Sequence, residues 1–121
     1  MGAIHELGKK GEELAARHLK EKGYRILETN WRFGRNELDL IAEDGNTLVV
    51  AEVKTRHSNV FGEPELAVTR EKQRVIIRSA NAYVRWKRRD VEVRFDIVSI
   101  LVQGDNVSIN HIPDAFYPMV R

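Results

Sequence analysis

The sequence predicts an α/β fold, a mixed central sheet with helices on its faces, in the order α-β-β-β-α-β with one further strand. Three observations predict it. Residues 8–22 and 66–89 carry a helical period. The stretches between and after them carry strand patterns closed by turn residues. The second helix is long enough to cross over a sheet and set the strand after it parallel to the strand before it.

The first helix is justified by its wheel. At about 100° per residue, Leu14, Ala15, His18 and Leu19 fall on one arc that includes Gly11, and Gly23 is placed to stop the helix. Glu12 projects at the edge of that apolar face, whereas Glu13 projects away among Lys9, Ala16 and Lys20. Tyr24 to Trp31 reads as a first strand, and Phe33-Gly34-Arg35-Asn36 as a turn. Glu37 to Glu43 reads as a second strand. Asp44-Gly45-Asn46 is a hairpin signal leading into a third strand, Thr47 to Thr55. A polar loop, 56–64, precedes the second helix, for which Thr69 is the expected cap and Glu71 a first-turn acid. Val91 to Val102 reads as a fourth strand, Val107 to Ile112 as a short fifth, and the tail from Pro113 as irregular.

Bulk properties bound the function classes. At 121 residues the chain is expected to form one domain, 1–121. No apolar run approaches the ~18 residues that span a bilayer, so no membrane role is expected. The first six residues lack a basic region followed by an apolar one, so cytoplasmic is the default location. The absence of cysteine excludes disulfides and thiolate metal sites. A net charge of +2 does not by itself name a partner, so the placement of the charges has to decide.

The third strand places two of them conspicuously. After the apolar run Leu48-Val49-Val50-Ala51, Glu52 and Lys54 share a face, with Val53 on the other. Opposite charges on a buried strand lie at a cleft, pair with each other, or hold a metal. Asp39, on the second strand, comes beside Glu52 or Lys54 across the hairpin, within a residue or two of register, and Glu37 shares its face. A site of Asp39, Glu52, Lys54 and Glu12 would suit Mg²⁺ or Mn²⁺, which take carboxylate, water and phosphate oxygens. The simpler alternative is a partly exposed Glu52–Lys54 ion pair beside a solvated Asp39.

The second helix carries an arginine stripe. Arg70, Arg74, Arg78, Arg85, Arg88 and Arg89 fall within an arc of roughly 100°, whereas Lys72 and Lys87 fall outside it. A solvated helix face ordinarily mixes signs, and like charges four residues apart repel, so the stripe points to a polyanion such as DNA. An anionic membrane surface or an acidic protein are the competing partners. His18 is expected to pack and not to ligate, Trp31 and Trp86 to serve in the core or at its edge and not as base-stacking platforms, and Arg94 and Asp96 to form an ion pair.

The motifs Gly11-Glu12, Gly23-Tyr24, Asn30-Trp31-Arg32, Glu37-Leu38-Asp39-Leu40-Ile41 and Glu52-Val53-Lys54-Thr55-Arg56 resemble the YraN-like uncharacterised family. Phe61-Gly62, Ala67-Val68, Lys72-Gln73 and Arg94-Phe95-Asp96 continue the match, which runs from about residue 8 to Phe116. One departure is visible: Asn36 stands where that family usually has glycine before the first acid of the second strand. The family looks like a member of the PD-(D/E)XK, or restriction-endonuclease-like, superfamily, similar to archaeal Holliday-junction resolvases. The resemblance implies an αβββαβ core and a metal-dependent endonuclease acting on DNA, branched DNA included. It assigns Asp39 to the motif aspartate, Glu52 and Lys54 to the E-x-K pair, Glu12 to the first-helix glutamate and Gln73 to a site-supporting helix position. The Val53 carbonyl would join Asp39 and Glu52 as a metal ligand. Resolvase relatives act as dimers, which makes a homodimer an expected assembly. The alternative on the same fold is a non-catalytic nucleic-acid-binding or adaptor protein.

Overall fold

The computed structural model describes residues 2–57, 68–87 and 90–118, with side chains from residue 9 onward. Among the described residues, two helices and five strands follow in the order α1 (Gly2–Glu21), β1 (Arg25–Phe33), β2 (Asn36–Asp44), β3 (Thr47–Arg56), α2 (Arg70–Lys87), β4 (Glu92–Gln103) and β5 (Asn106–Phe116). The strands form one sheet in sequence order, β1-β2-β3-β4-β5. Every neighbouring pair is antiparallel except β3 and β4, which are parallel. The helix between them makes that crossover. This mixed sheet with a helix on each face is consistent with a restriction-endonuclease-like core.

The central strand explains the layering. Leu48 and Val50 point into a cluster with Ile76, Ala80 and Tyr83 of α2. Val49 and Ala51 point into a second cluster with Ala15 and Leu19 of α1. A strand covered on both faces has no room for alternating polarity, which is why its first half is an uninterrupted apolar run. Glu52 and Lys54 continue the series that faces α2.

Helix α1 lies unusually close to the sheet. A Cβ added at Gly11 would collide with Thr55 Oγ1 and lie 3.3 Å from Thr55 Cβ. Overpacking of this kind costs roughly 1–3 kcal/mol, against about 1 kcal/mol gained from alanine's helix propensity. Gly11→Ala is therefore expected to lower the thermal midpoint, and Thr55→Ala in the same chain to restore it. A Gly11→Ala chain that melts at or above the parent's temperature would show that the contact yields freely.

The boundaries depart from expectation in four places, the first being that β1 runs on to Phe33 and β2 begins at Asn36, which pair and leave only Gly34-Arg35 in the turn. Helix α1 begins at Gly2 and not near residue 8, the stretch before Gly11 holding no proline to stop a helix. Strand β5 continues through the tail to Phe116. There Phe116 stacks on Phe95 at 5.3 Å and 19°, and a register shift opposite Asp96 absorbs Pro113 and Asp114. Helix α2 begins at Arg70, just after the expected cap: Thr69 Oγ1 accepts the Lys72 N–H at 3.1 Å. Residues 58–67, and with them most of the polar loop, lie outside the described residues, as do Arg88 and Arg89. Among the described residues no helix is long and apolar enough to cross a membrane.

Candidate active site at the open end of the hairpin

The site is built where two strands stop pairing. The β2–β3 ladder runs from Asp44↔Thr47 at the turn to Leu40↔Ala51. One residue further on, side chains replace the ladder. The Val53 N–H donates to Asp39 Oδ2 at 2.9 Å, and the Asp39 N–H points at Glu52 Oε2 at a longer 3.4 Å. Each carboxylate thus faces a backbone N–H of the opposite strand, and the pair occupies the gap between the strands. Of the two partners open for Asp39, the register selects Glu52.

Burial sets the electrostatics. Glu52 is 2% exposed and Asp39 half-buried. Loss of solvation, followed by the Asp39 charge, pushes the Glu52 pKa up to about 8, with Lys72 and Lys54 opposing. Burial likewise pushes Asp39 up to about 6; the Val53 hydrogen bond opposes the rise and the Glu12 charge adds to it. Among the described residues neither carboxylate forms an ion pair. Lys54, half-buried, lies along β3 beside Ser99 of β4.

Glu12 reaches the same region from α1. Its Oε1 accepts from Asn30 Nδ2 at 3.0 Å, and that amide also lies 3.3 Å from Glu37 Oε1. Glu12 is half-buried and Glu13 exposed. Asn30 holds a left-handed backbone, φ 51°, which asparagine tolerates better than most residues. It therefore links an acid of α1 to an acid of β2, a role its sequence context did not disclose. Glu37 also pairs with Arg32 at 3.6 Å. Gln73 is turned elsewhere: its Nε2 donates to the Val68 carbonyl at 3.1 Å, bracing the start of α2.

An open cleft of about 450 Å³ runs beside Asp39 between the β1–β2 turn and α2. Arg35, Asn36, Glu37, Lys72 and Ser79 are among its walls. Lys72 and Arg35 are the cations that sequence reasoning passed over. The signal for Lys72 was its angle, about 200° from Arg70, between Ser79 and Tyr83 on the arc that meets the sheet. A lysine there must emerge beside whatever the sheet presents.

The arginine stripe does not border this cleft. Arg70, Arg74, Arg78 and Arg85 are exposed, and they lie roughly opposite Ile76 and Tyr83 around the helix. Trp86 is also placed differently from expectation: it is 61% exposed and not a core residue.

Arg94 and Asp96 do form the expected ion pair, but within a larger cluster on the α1 side. Asp96, wholly buried, receives both Arg94 Nε and Nη2 at 2.9 Å, the Asp114 N–H at 2.9 Å and His111 Nε2 at 2.7 Å. Arg94 also reaches Tyr24 and Asp44.

Hard oxygen donors in an uncompensated acidic pair fit a divalent cation such as Mg²⁺ or Mn²⁺. Asp39, Glu52 and the Val53 carbonyl are the groups present to hold one. Among the described residues no cluster of three His, Asp or Glu side chains is assembled for that purpose, so Glu12 stands apart from the pair.

The profile of Uncharacterised protein family UPF0102 matches residues 11–100. A UPF0102 protein of Flavobacterium johnsoniae is 46% identical over 121 residues, covering 97% of this chain and 98% of its own. One from Phocaeicola vulgatus is 48% identical, covering 99% of both chains. One from Geobacter metallireducens is 47% identical, covering 91% of both.

Proposed function

Given that the chain belongs to Uncharacterised protein family UPF0102, we propose that its acidic pair hydrolyses DNA phosphodiesters as a divalent-metal-dependent endonuclease. The observation that carries this reading is the opening of the β2–β3 ladder at half-buried Asp39 and buried Glu52, without an ion pair among the described residues and flanked by Lys54 and Lys72. Structural acids of this burial are ordinarily matched by a bonded cation of the chain itself, as Asp96 is by Arg94.

In this reading Asp39, Glu52 and the Val53 carbonyl hold Mg²⁺ or Mn²⁺, which supplies Lewis acidity toward a phosphate oxygen when bound. Lys54 orients the attacking water and offsets the charge that builds on the phosphoryl oxygens. Glu12, held by Asn30, supplies a further acid at the edge of the site. Lys72 and Arg35 draw the reacting phosphate into the cleft, Glu37 forms part of its wall, Gln73 steadies the start of α2, and the outward arginines of α2, with Arg88 and Arg89 after them, engage flanking phosphates.

The test is cleavage of branched, single-stranded and duplex DNA with Mg²⁺ or Mn²⁺. Asp39→Asn and Lys54→Ala are each expected to reduce the rate by about 10²-fold or more. Equal activity in both variants and the parent would remove the reading.

A binding or adaptor role without catalysis is the second reading, favoured by the separation of the arginine stripe from the cleft. It predicts salt-sensitive DNA binding that survives Asp39→Asn, and no turnover with either metal.

A further inference from the structure

A row of aromatic rings leads away from the cleft. Phe33, 40% exposed, and Trp31 share one face of β1, their rings parallel to within 1° and 6.4 Å apart. Trp86 lies beyond Trp31, at 6.0 Å and 27°. Tyr83 meets both indoles edge-on from beneath, at 5.1 Å and 6.1 Å, and its hydroxyl donates to Glu28 at 3.3 Å. The row is therefore held on a rigid base while Phe33 and Trp86 stay exposed, Trp86 with only the mobile end of Lys87 over its ring. Its inner end adjoins the cleft, because Phe33 pairs with Asn36 and Asn36 is a cleft wall.

Two tryptophans and a phenylalanine in ordered contact at a surface are costly to leave wet, and the surroundings indicate what covers them. Lys87 Nζ sits 4.5 Å from the Trp86 ring centre. Arg35 stands where the row meets the cleft. Arg78 and Arg85 emerge about 80–100° around α2 from Trp86. The nearby acids are already engaged: Glu28 with Tyr83 and Lys87, Glu37 with Arg32 and Asn30. What is on offer is π-surface rimmed by cations. The complement of that surface is a chain of unstacked bases on a phosphate backbone, and every base has a face to stack. A duplex keeps its base faces covered, so it could use only the cations.

We propose that Phe33, Trp31 and Trp86 form a stacking platform for unpaired bases of single-stranded DNA entering the cleft. This rests on reading the acidic pair as a DNA-cleaving site, and it adds the substrate class: DNA with an unpaired segment beside the bond to be cut.

Binding is measured without cleavage, on the full chain in chelator, by titrating tryptophan fluorescence with an oligothymidylate and with a duplex of equal length. The single strand is expected to quench the emission and bind more tightly than the duplex. Trp86→Ala is expected to weaken single-strand binding about ten-fold while leaving duplex binding unchanged, and Trp86→Phe to restore most of it. Unchanged single-strand affinity in Trp86→Ala overturns the platform, as does an equal loss for both DNAs. It is also overturned if Trp86→Ala only converts a dimer to a monomer in sedimentation, which would make the cover a second copy of this chain. Because no cleavage is needed, an inactive acidic site leaves this result standing. An active site with no single-strand preference removes the platform alone.

Discussion

Asp96→Ala is expected to cost roughly 3–5 kcal/mol, the largest loss from any single change considered for this chain. The carboxylate is wholly buried and serves four donors on three partners: the Arg94 guanidinium twice, the His111 ring and the Asp114 backbone. Burial alone would raise its pKa, yet these hydrogen bonds hold it below the ordinary carboxylate value. Removing it leaves a mostly covered guanidinium without its main partner and a backbone N–H facing an empty volume. It also loosens the bulge that carries Asp114, whose φ of 54° is strained for a residue with a side chain. Urea unfolding of the parent, Asp96→Ala, Arg94→Met and the double variant checks this. Once Asp96 is gone, Arg94→Met should cost much less than it does alone. Additive costs would mean that the two residues do not act as a unit.

In the presence of chelator, the chain is expected to lose stability as pH rises from 5 to 8.5, and Glu52→Gln to flatten that slope. The ordinary Glu52 pKa of 4.5 is raised to about 8 in the folded chain, so folding favours the protonated acid. That contribution is complete below 4.5 and is lost as pH climbs through 8. Asp39 acts in the same direction between 3.8 and about 6. Asp96 and His18 have the opposite sign: Asp96 lies below the ordinary carboxylate value and is constant across this window, and His18, lowered by burial, is constant above its ordinary 6.5, so the fall is read cleanly from 6.5 to 8.5. A change of 1 kcal/mol moves the midpoint of a chain this size by about 4 °C or more, so the fall should be plain in a thermal scan. Mn²⁺ at pH 8 should restore the parent's midpoint by taking the place of the protons, and should leave Glu52→Gln unmoved. A parent midpoint indifferent to pH and to Mn²⁺ would mean that the pair is neither repelled nor a cation site.

Much of this arrangement was legible from residue order, for identifiable reasons. The Asp44-Gly45 turn fixes the hairpin, and counting back from it brings Asp39 beside Glu52 or Lys54, within a residue or two of register. The length of α2 dictates the parallel β3–β4 pair. What escaped was set by three-dimensional direction. Lys72 was set aside for lying off the arginine arc, when that same angle aims it at the sheet. Trp86 has the composition of a core residue, but it sits at the last turn of α2, beyond the cover of the sheet. Arg94 and Asp96 announce a pair two residues apart, whereas Tyr24, Asp44, His111 and Asp114 come from distant segments that no spacing connects. Asn30 joins Glu12 to Glu37 across a strand and a helix, and only the fold makes them neighbours.

The two bulged outer strands bear on how the molecule keeps apart from its own kind. Strand β1 breaks register between Ile26 and Glu28 and turns left-handed at Asn30; β5 carries Pro113, a register shift and the left-handed Asp114. Strand β1 offers no long straight run of free amides and carbonyls and β5 only the short stretch 106–112, so another sheet finds little to zip onto. Crowded copies of the chain are thereby steered away from fibre-like stacking, and any orderly association must proceed through side chains.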